Sequence, residues 1–136
     1  MNERVTALLV HSEPSSFPTL RQALQNQNID VSSAPNLQNA SLFIRSGQPP
    51  EIVFTDTEFS DGTWEDILYI VQEARRPVQV IVVSPYVDMN LYIEVMQRGA
   101  FDFIVPSISD SDLAYIVQGA VWKAFRQKNS PRLKAA

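Results

Sequence analysis

Few side chains in this sequence can do chemistry, and their types narrow what the chain can be. It holds no cysteine and one histidine, His11. Thiol catalysis, disulfides, Cys-based zinc sites and multi-histidine metal sites are therefore excluded. His11 is the one conventional general base. Asp56 closes the apolar run Ile52-Val53-Phe54-Thr55, and the turn formers Thr57-Glu58-Phe59-Ser60-Asp61-Gly62 follow at once. A carboxylate there either caps a turn or faces a ligand from the carboxyl edge of a buried strand. Ser84 ends a second apolar run, ahead of Pro85, and carries the same two readings. Ser12, Ser15, Ser16 and Thr19 set hydroxyls before a helix start, where phosphate can be seated. Pro14 and Pro18 remove two amide donors there, and no glycine-rich fingerprint accompanies them.

The elements that must position these groups alternate along the chain. Val5–Val10, half-polar Ile29–Ser32, Ile52–Thr55, Val78–Ser84 and Phe101–Val105 read as strands. The second has the pattern of a sheet edge. Between them, apolar residues recur at helical spacing. Phe17, Leu20 and Leu24 mark the first helix, with Ser15 or Ser16 as its cap and Pro18 in its first turn. Asn36 caps a second helix with Leu37, Ala40, Ser41 and Ile44 inward, ended by Gly47 and Pro49-Pro50. Ile67, Leu68, Val71 and Ala74 mark a third, stopped by Pro77. Leu91, Tyr92, Val95 and Met96 mark a fourth, ending at Gly99. The last starts at Ser109-Asp110-Ser111-Asp112 and runs through Leu113, Ile116, Val117, Ala120, Val121 and Ala124. Five strand–helix repeats with short connections predict an α/β doubly wound sheet of the flavodoxin-like (βα)5 kind, with five parallel strands and helices on both faces.

The 136 residues fit one domain, expected over residues 1–127, with 128–136 as a polar basic tail or linker stump carrying Lys128, Arg132 and Lys134. No apolar run reaches the roughly 20 residues of a membrane span. Met1-Asn2-Glu3-Arg4 lacks a signal-peptide core, so a cytoplasmic protein is expected. A net charge of -4 argues against nucleic-acid binding by the domain.

In this predicted order the strand ends gather His11-Ser12-Glu13, Asp56, Ser84 and Val105-Pro106-Ser107. From about Val5 to about Phe125 the chain resembles the receiver domains of two-component response regulators. Leu8-Leu9-Val10-His11-Ser12-Glu13-Pro14-Ser15 is similar to the family's first strand and acidic loop. Asp56 falls on its phosphorylated aspartate, Ser84 on its switch hydroxyl, and Gly99-Ala100-Phe101-Asp102-Phe103 on the turn and strand that carry its aromatic switch residue, here Phe103. Ser109-Asp110-Ser111-Asp112-Leu113 matches the start of its last helix.

The departures lie in the chemistry. Where the family has two acids that hold magnesium with the phosphoacceptor, this chain has His11 and Ser12; Glu13 is one residue further on. The family's lysine falls on Pro106, the proline after it on Ser107, the proline of the loop after the aspartate on Ser60, and the glycine at that loop's far end on Trp64. Phosphoryl transfer to a carboxylate brings negative charges together and depends on their neutralisation. The resemblance thus implies a degenerate phosphorelay receiver, or pseudo-receiver. Asp56 would be its nominal phosphoacceptor, with weak magnesium binding by Asp56 and, if it reaches, Glu13. No enzymatic activity is implied, and the expected partners are a sensor histidine kinase or a downstream signalling protein. Tyr92, Gln118, Trp122 and Phe125 are candidates for a contact face on the fourth helix, fifth strand and fifth helix, which would also serve a homodimer. His11 is either a solvated strand-end residue or a partner of Asp56. In the second case the pair's charges should raise the His11 pKa and lower that of Asp56. Trp64 is expected to cover the site or pack at the base of the third helix. A flavin- or nucleotide-binding enzyme on a similar fold is the alternative.

Overall fold

The computed structural model describes residues 4–12 and 17–128. The chain runs β1 (Thr6–Val10), α1 (Pro18–Gln25), β2 (Asp30–Ala34), α2 (Leu37–Ile44), β3 (Ile52–Thr55), β4 (Glu58–Phe59), β5 (Gly62–Thr63), α3 (Trp64–Val71), β6 (Gln79–Val83), α4 (Met89–Gln97), β7 (Asp102–Ile104) and α5 (Asp110–Lys128). Five strands form one parallel sheet in the order β2-β1-β3-β6-β7. β4 and β5 form a separate antiparallel hairpin. The half-polar β2 lies at an edge, and β3, buried at all four residues, lies in the middle.

Alternation along the strands splits the core in two. Ala7, Leu9, Phe54, Ile81 and Val83 pack against Leu20 and Leu24 of α1 and Leu113, Val117 and Ala120 of α5. Leu8, Val10, Val53, Val80 and Val82 pack against Ala40 and Ile44 of α2, Ile67 and Leu68 of α3 and Val95 of α4. Each fully buried side chain of this size contributes about 1.5–3 kcal/mol. The five-stranded parallel sheet with helices on both faces is the architecture predicted from the sequence.

The helix starts follow local chemistry. Asn36 Oδ1 accepts from the N–H of Asn39 at 2.8 Å, and Asp88 Oδ1 from that of Leu91 at 3.1 Å. Thr63 and Asp66 form a reciprocal capping box on α3. Gly99, at φ +99°, makes the turn out of α4 that glycine adopts without strain.

Three expectations are corrected. The fifth strand of the sheet is three residues, Asp102–Ile104, and not Phe101–Val105. Phe17 stands at the N-cap of α1, with no side-chain capping bond and Pro18 next; Ser15 and Ser16 lie outside the described residues. The stretch after Asp56 is a short hairpin, not an open loop. Helix α5 runs on to Lys128, and the rest of the expected tail lies outside the described residues. Among the described residues no helix is long and apolar enough to cross a membrane.

Candidate functional site

The sheet register brings three of the candidate residues to adjacent strand ends. Val10, Thr55 and Val82 are aligned across β1, β3 and β6, and Val83 is aligned with Ile104 of β7. The residue after each strand then bonds to its neighbour. His11 N–H donates to Ala34 O at 3.0 Å, Asp56 N–H to Val10 O at 2.9 Å and Ser84 N–H to Ile104 O at 2.9 Å. His11 and Asp56 are therefore level at the ends of adjacent strands, with Ser84 one residue further along the next strand, all at the carboxyl edge where an open parallel sheet presents its site.

Asp56 is half-buried, and its Oδ1 accepts from the N–H of Thr57 at 2.8 Å. Burial pushes its carboxyl above the ordinary value; the Thr57 bond and then the charge of His11 oppose this, and Glu58 adds to it. The sequence-based expectation of a lowered Asp56 pKa is thus overturned. His11 does favour the charged carboxylate, but desolvation is the largest effect. The His11 ring lies flat against Phe17, with centroids 4.5 Å apart and planes 9° from parallel. Ser12 is exposed, and Glu13 lies outside the described residues.

Ser84 is only 3% exposed. Its Oγ donates to Tyr86 O at 2.8 Å and accepts from Tyr86 N–H at 3.2 Å, so the hydroxyl is held across Pro85. Phe103 is half-buried and meets Tyr92 edge-on, with centroids 5.8 Å apart at 82°. Pro106 is exposed and lines a narrow cleft with Thr19, Leu20 and Leu113. It offers neither charge nor N–H donor. Trp64, 6% exposed, packs into the core between sheet and α3, the second of its two expected places.

Sequence reasoning missed Thr57 and Tyr86, whose backbone groups hold Asp56 and Ser84, because main-chain donors leave no mark in residue type. It also missed Tyr115, which is 79% exposed on α5. With Trp122, Phe101, Ile116, Gln118 and Gly119, Tyr115 lines a cleft of about 510 Å³ beside β7. Trp122 is 61% exposed, and the Arg126 guanidinium lies 4.7 Å from its ring centroid. Phe125 is half-buried.

Magnesium prefers an octahedral shell of hard oxygens, with one or two carboxylates and waters. Here Asp56 stands beside an imidazole and an exposed hydroxyl, which fit that ion poorly. Among the described residues no group of three His, Cys, Asp or Glu side chains could hold a metal.

Residues 7–118 match the family model described as "Response regulator receiver domain". The response regulator PilR of Pseudomonas aeruginosa is 26% identical over 118 residues, which are 87% of this chain and 26% of PilR. LuxO of Vibrio cholerae is 29% identical over 80 residues, 59% of this chain and 18% of LuxO. The chain thus spans about a quarter or less of these two relatives. A response regulator from Thermotoga maritima superposes with a TM-score of 0.75 at 27% identity, covering 88% of this chain and 98% of that one. The receiver domain of a LuxO-like protein from Vibrio parahaemolyticus gives 0.78 at 24% identity, covering 90% and 93%. These matches favour the receiver reading over a flavin- or nucleotide-binding enzyme.

Proposed function

The chain belongs to the response regulator receiver domain family of two-component signalling, and we propose that it acts there as a degenerate receiver. Receiver domains interact with histidine kinases and downstream effectors, commonly bind magnesium beside the phosphorylation site, and are in general not enzymes. In this chain Asp56 is the nominal phosphoacceptor, Ser84 and Phe103 stand at the switch positions, and phosphoryl transfer is slow or absent. Output then rests on protein contacts.

One observation carries this reading: among the described residues, the charged side chains that act on Asp56 are His11 and Glu58. The transition state of phosphoryl transfer needs positive charge around the acceptor. A single imidazole offset by a carboxylate supplies little, and Pro106 supplies none. The hydroxyl of Ser84 is satisfied by Tyr86, so turning it towards a phosphoryl group would break two hydrogen bonds. Magnesium, if held, is held weakly, with Asp56 as ligand and Glu13 as the second acid in reach by sequence.

The contact face comprises α4, β7 and α5, with Tyr92, Gln118 and Trp122 as anchors and Phe125 beside them. Aromatic side chains dominate interface hot spots, and Trp122 and Tyr115 stand exposed beside an apolar-walled cleft. The face serves a downstream signalling protein, a histidine kinase or a second copy of the chain.

The test is incubation with acetyl phosphate and magnesium, followed by intact mass. The unmodified protein should gain little or no phosphate, and His11→Asp/Ser12→Asp/Pro106→Lys should gain it on Asp56. Equal and rapid labelling of both would sink the degenerate reading.

A further inference from the structure

The segment after Asp56 is fastened at its far end to a different helix. Asp61 lies at the tip of the β4–β5 hairpin. Its two carboxylate oxygens accept from the N–H of Leu37 at 2.8 Å and of Gln38 at 3.0 Å, the first two residues of α2. Asn36 takes the next amide, that of Asn39. A helix start leaves four N–H groups without helical partners. Here two of them are filled from outside the helix, by a residue more than twenty positions away in sequence. The negative charge also sits at the positive end of the helix, and the N–H donors hold the Asp61 carboxyl below its ordinary pKa. Gly62 presses into the same junction. A Cβ there would lie 2.7 Å from Leu37 Cδ2 and 2.8 Å from Asp66 Oδ2.

The near end of the hairpin is tied to the site. Thr57 O accepts from the N–H of Trp64 at 3.1 Å, and Thr63 N–H donates to Asp66 at 2.9 Å. The N–H of the same Thr57 holds Asp56 Oδ1. The backbone of Thr57 is therefore gripped between the Asp56 carboxylate and the first residue of α3. A continuous path of bonds leads from the α2 N-terminus through Asp61, the hairpin and Thr57 to Asp56.

We propose that Asp61 is a positioning residue for Asp56: by strapping the hairpin to the N-terminus of α2, it fixes Thr57 and with it the direction of the Asp56 carboxylate. A displacement of α2 is thereby transmitted to the site, and a change at the site to α2. This rests on Asp56 as the centre of the site, but its test reads no phosphoryl transfer and can fail independently of the proposed function.

Amide hydrogen exchange and side-chain carboxyl ¹³C shifts are measured by NMR on the whole chain at pH 7, for Asp61→Ala and Asp61→Asn. Loss of a helix cap of ordinary strength corresponds to about fivefold faster exchange. In Asp61→Ala, Leu37 and Gln38 should speed up by about that factor, Thr57 and Trp64 should follow, and the Asp56 carboxyl signal should move. Asp61→Asn keeps one acceptor oxygen and should recover part of each change. If Asp61→Ala does not fold, Asp61→Asn alone decides, by whether Thr57 and the Asp56 signal move with Leu37. Acceleration confined to Leu37 and Gln38, or an unmoved Asp56 signal, would reduce Asp61 to a cap of α2 and overturn the proposal.

Discussion

Replacing each of the two tryptophans with alanine should separate the fold from the surface it presents. Trp64 is 6% exposed and packs with Ile67, Leu68 and Val10 in the core on the α2–α3–α4 face. Removing an aromatic side chain so placed deletes its transfer energy and leaves a cavity, a cost of about 3–5 kcal/mol. For a domain of this size each kcal/mol moves the melting temperature by about 3–4 °C, so Trp64→Ala should melt about 10–20 °C lower. Trp122 is 61% exposed, and the Arg126 guanidinium lies 4.7 Å from its ring centroid. An exposed cation–π pair is worth about 0.5–1 kcal/mol, so Trp122→Ala should lower melting by about 4 °C or less. Differential scanning calorimetry measures both, and sedimentation velocity on the same samples measures self-association. Trp122→Ala melting as low as Trp64→Ala, with association unchanged, would refute the assignment of Trp122 to a contact surface.

Three other outcomes follow, two from the site and one from the fold. His11→Asp/Ser12→Asp should bind magnesium at least about tenfold more tightly than the unmodified protein, since it restores hard oxygen donors; calorimetric titration giving equal affinities would show the first loop to be misaligned. The raised Asp56 pKa fixes a sign. Its favourable contribution is complete below the unfolded value of 3.8 and is lost as pH rises through the folded value. Asp56→Asn should therefore gain stability relative to the unmodified protein between pH 3 and pH 7, measured by urea unfolding; a constant difference would contradict burial as the dominant effect. Gly99→Ala should cost about 1 kcal/mol or more in the same assay, because φ +99° is strained for a residue with a Cβ even where space is open.

The sequence made the sheet legible because its signals are local and repeated. The β-branched run before Asp56, the polar pattern of β2 and the Asn36 cap each follow from residue type, and alternation of strands and helices then sets the topology. The expected place of Asp56 and Ser84 at the strand ends rests on the same pattern. What was not legible depends on distance or on competing effects. Two-residue strands such as Glu58–Phe59 and Gly62–Thr63 are too short to show a period. Asp61 reads as a turn former, and nothing near it in sequence announces that its partners are Leu37 and Gln38. The stack of His11 on Phe17 joins two rings that no local sequence pattern pairs. The direction of the Asp56 pKa could not be read from a neighbouring histidine, because burial and charge act in opposite senses and only packing decides which is larger.

In the proposed function Asp56 sits in a receiver site stripped of its charge-neutralising groups. The most direct measurement is an NMR titration with beryllofluoride, a phosphoryl mimic, with and without magnesium. No saturable shift is expected at Asp56, Ser84 or Phe103 in the unmodified protein, and a magnesium-dependent shift is expected in His11→Asp/Ser12→Asp/Pro106→Lys. Saturation in the unmodified protein, with the amides of Ser84, Tyr86 and Phe103 moving together, would contradict the proposed function.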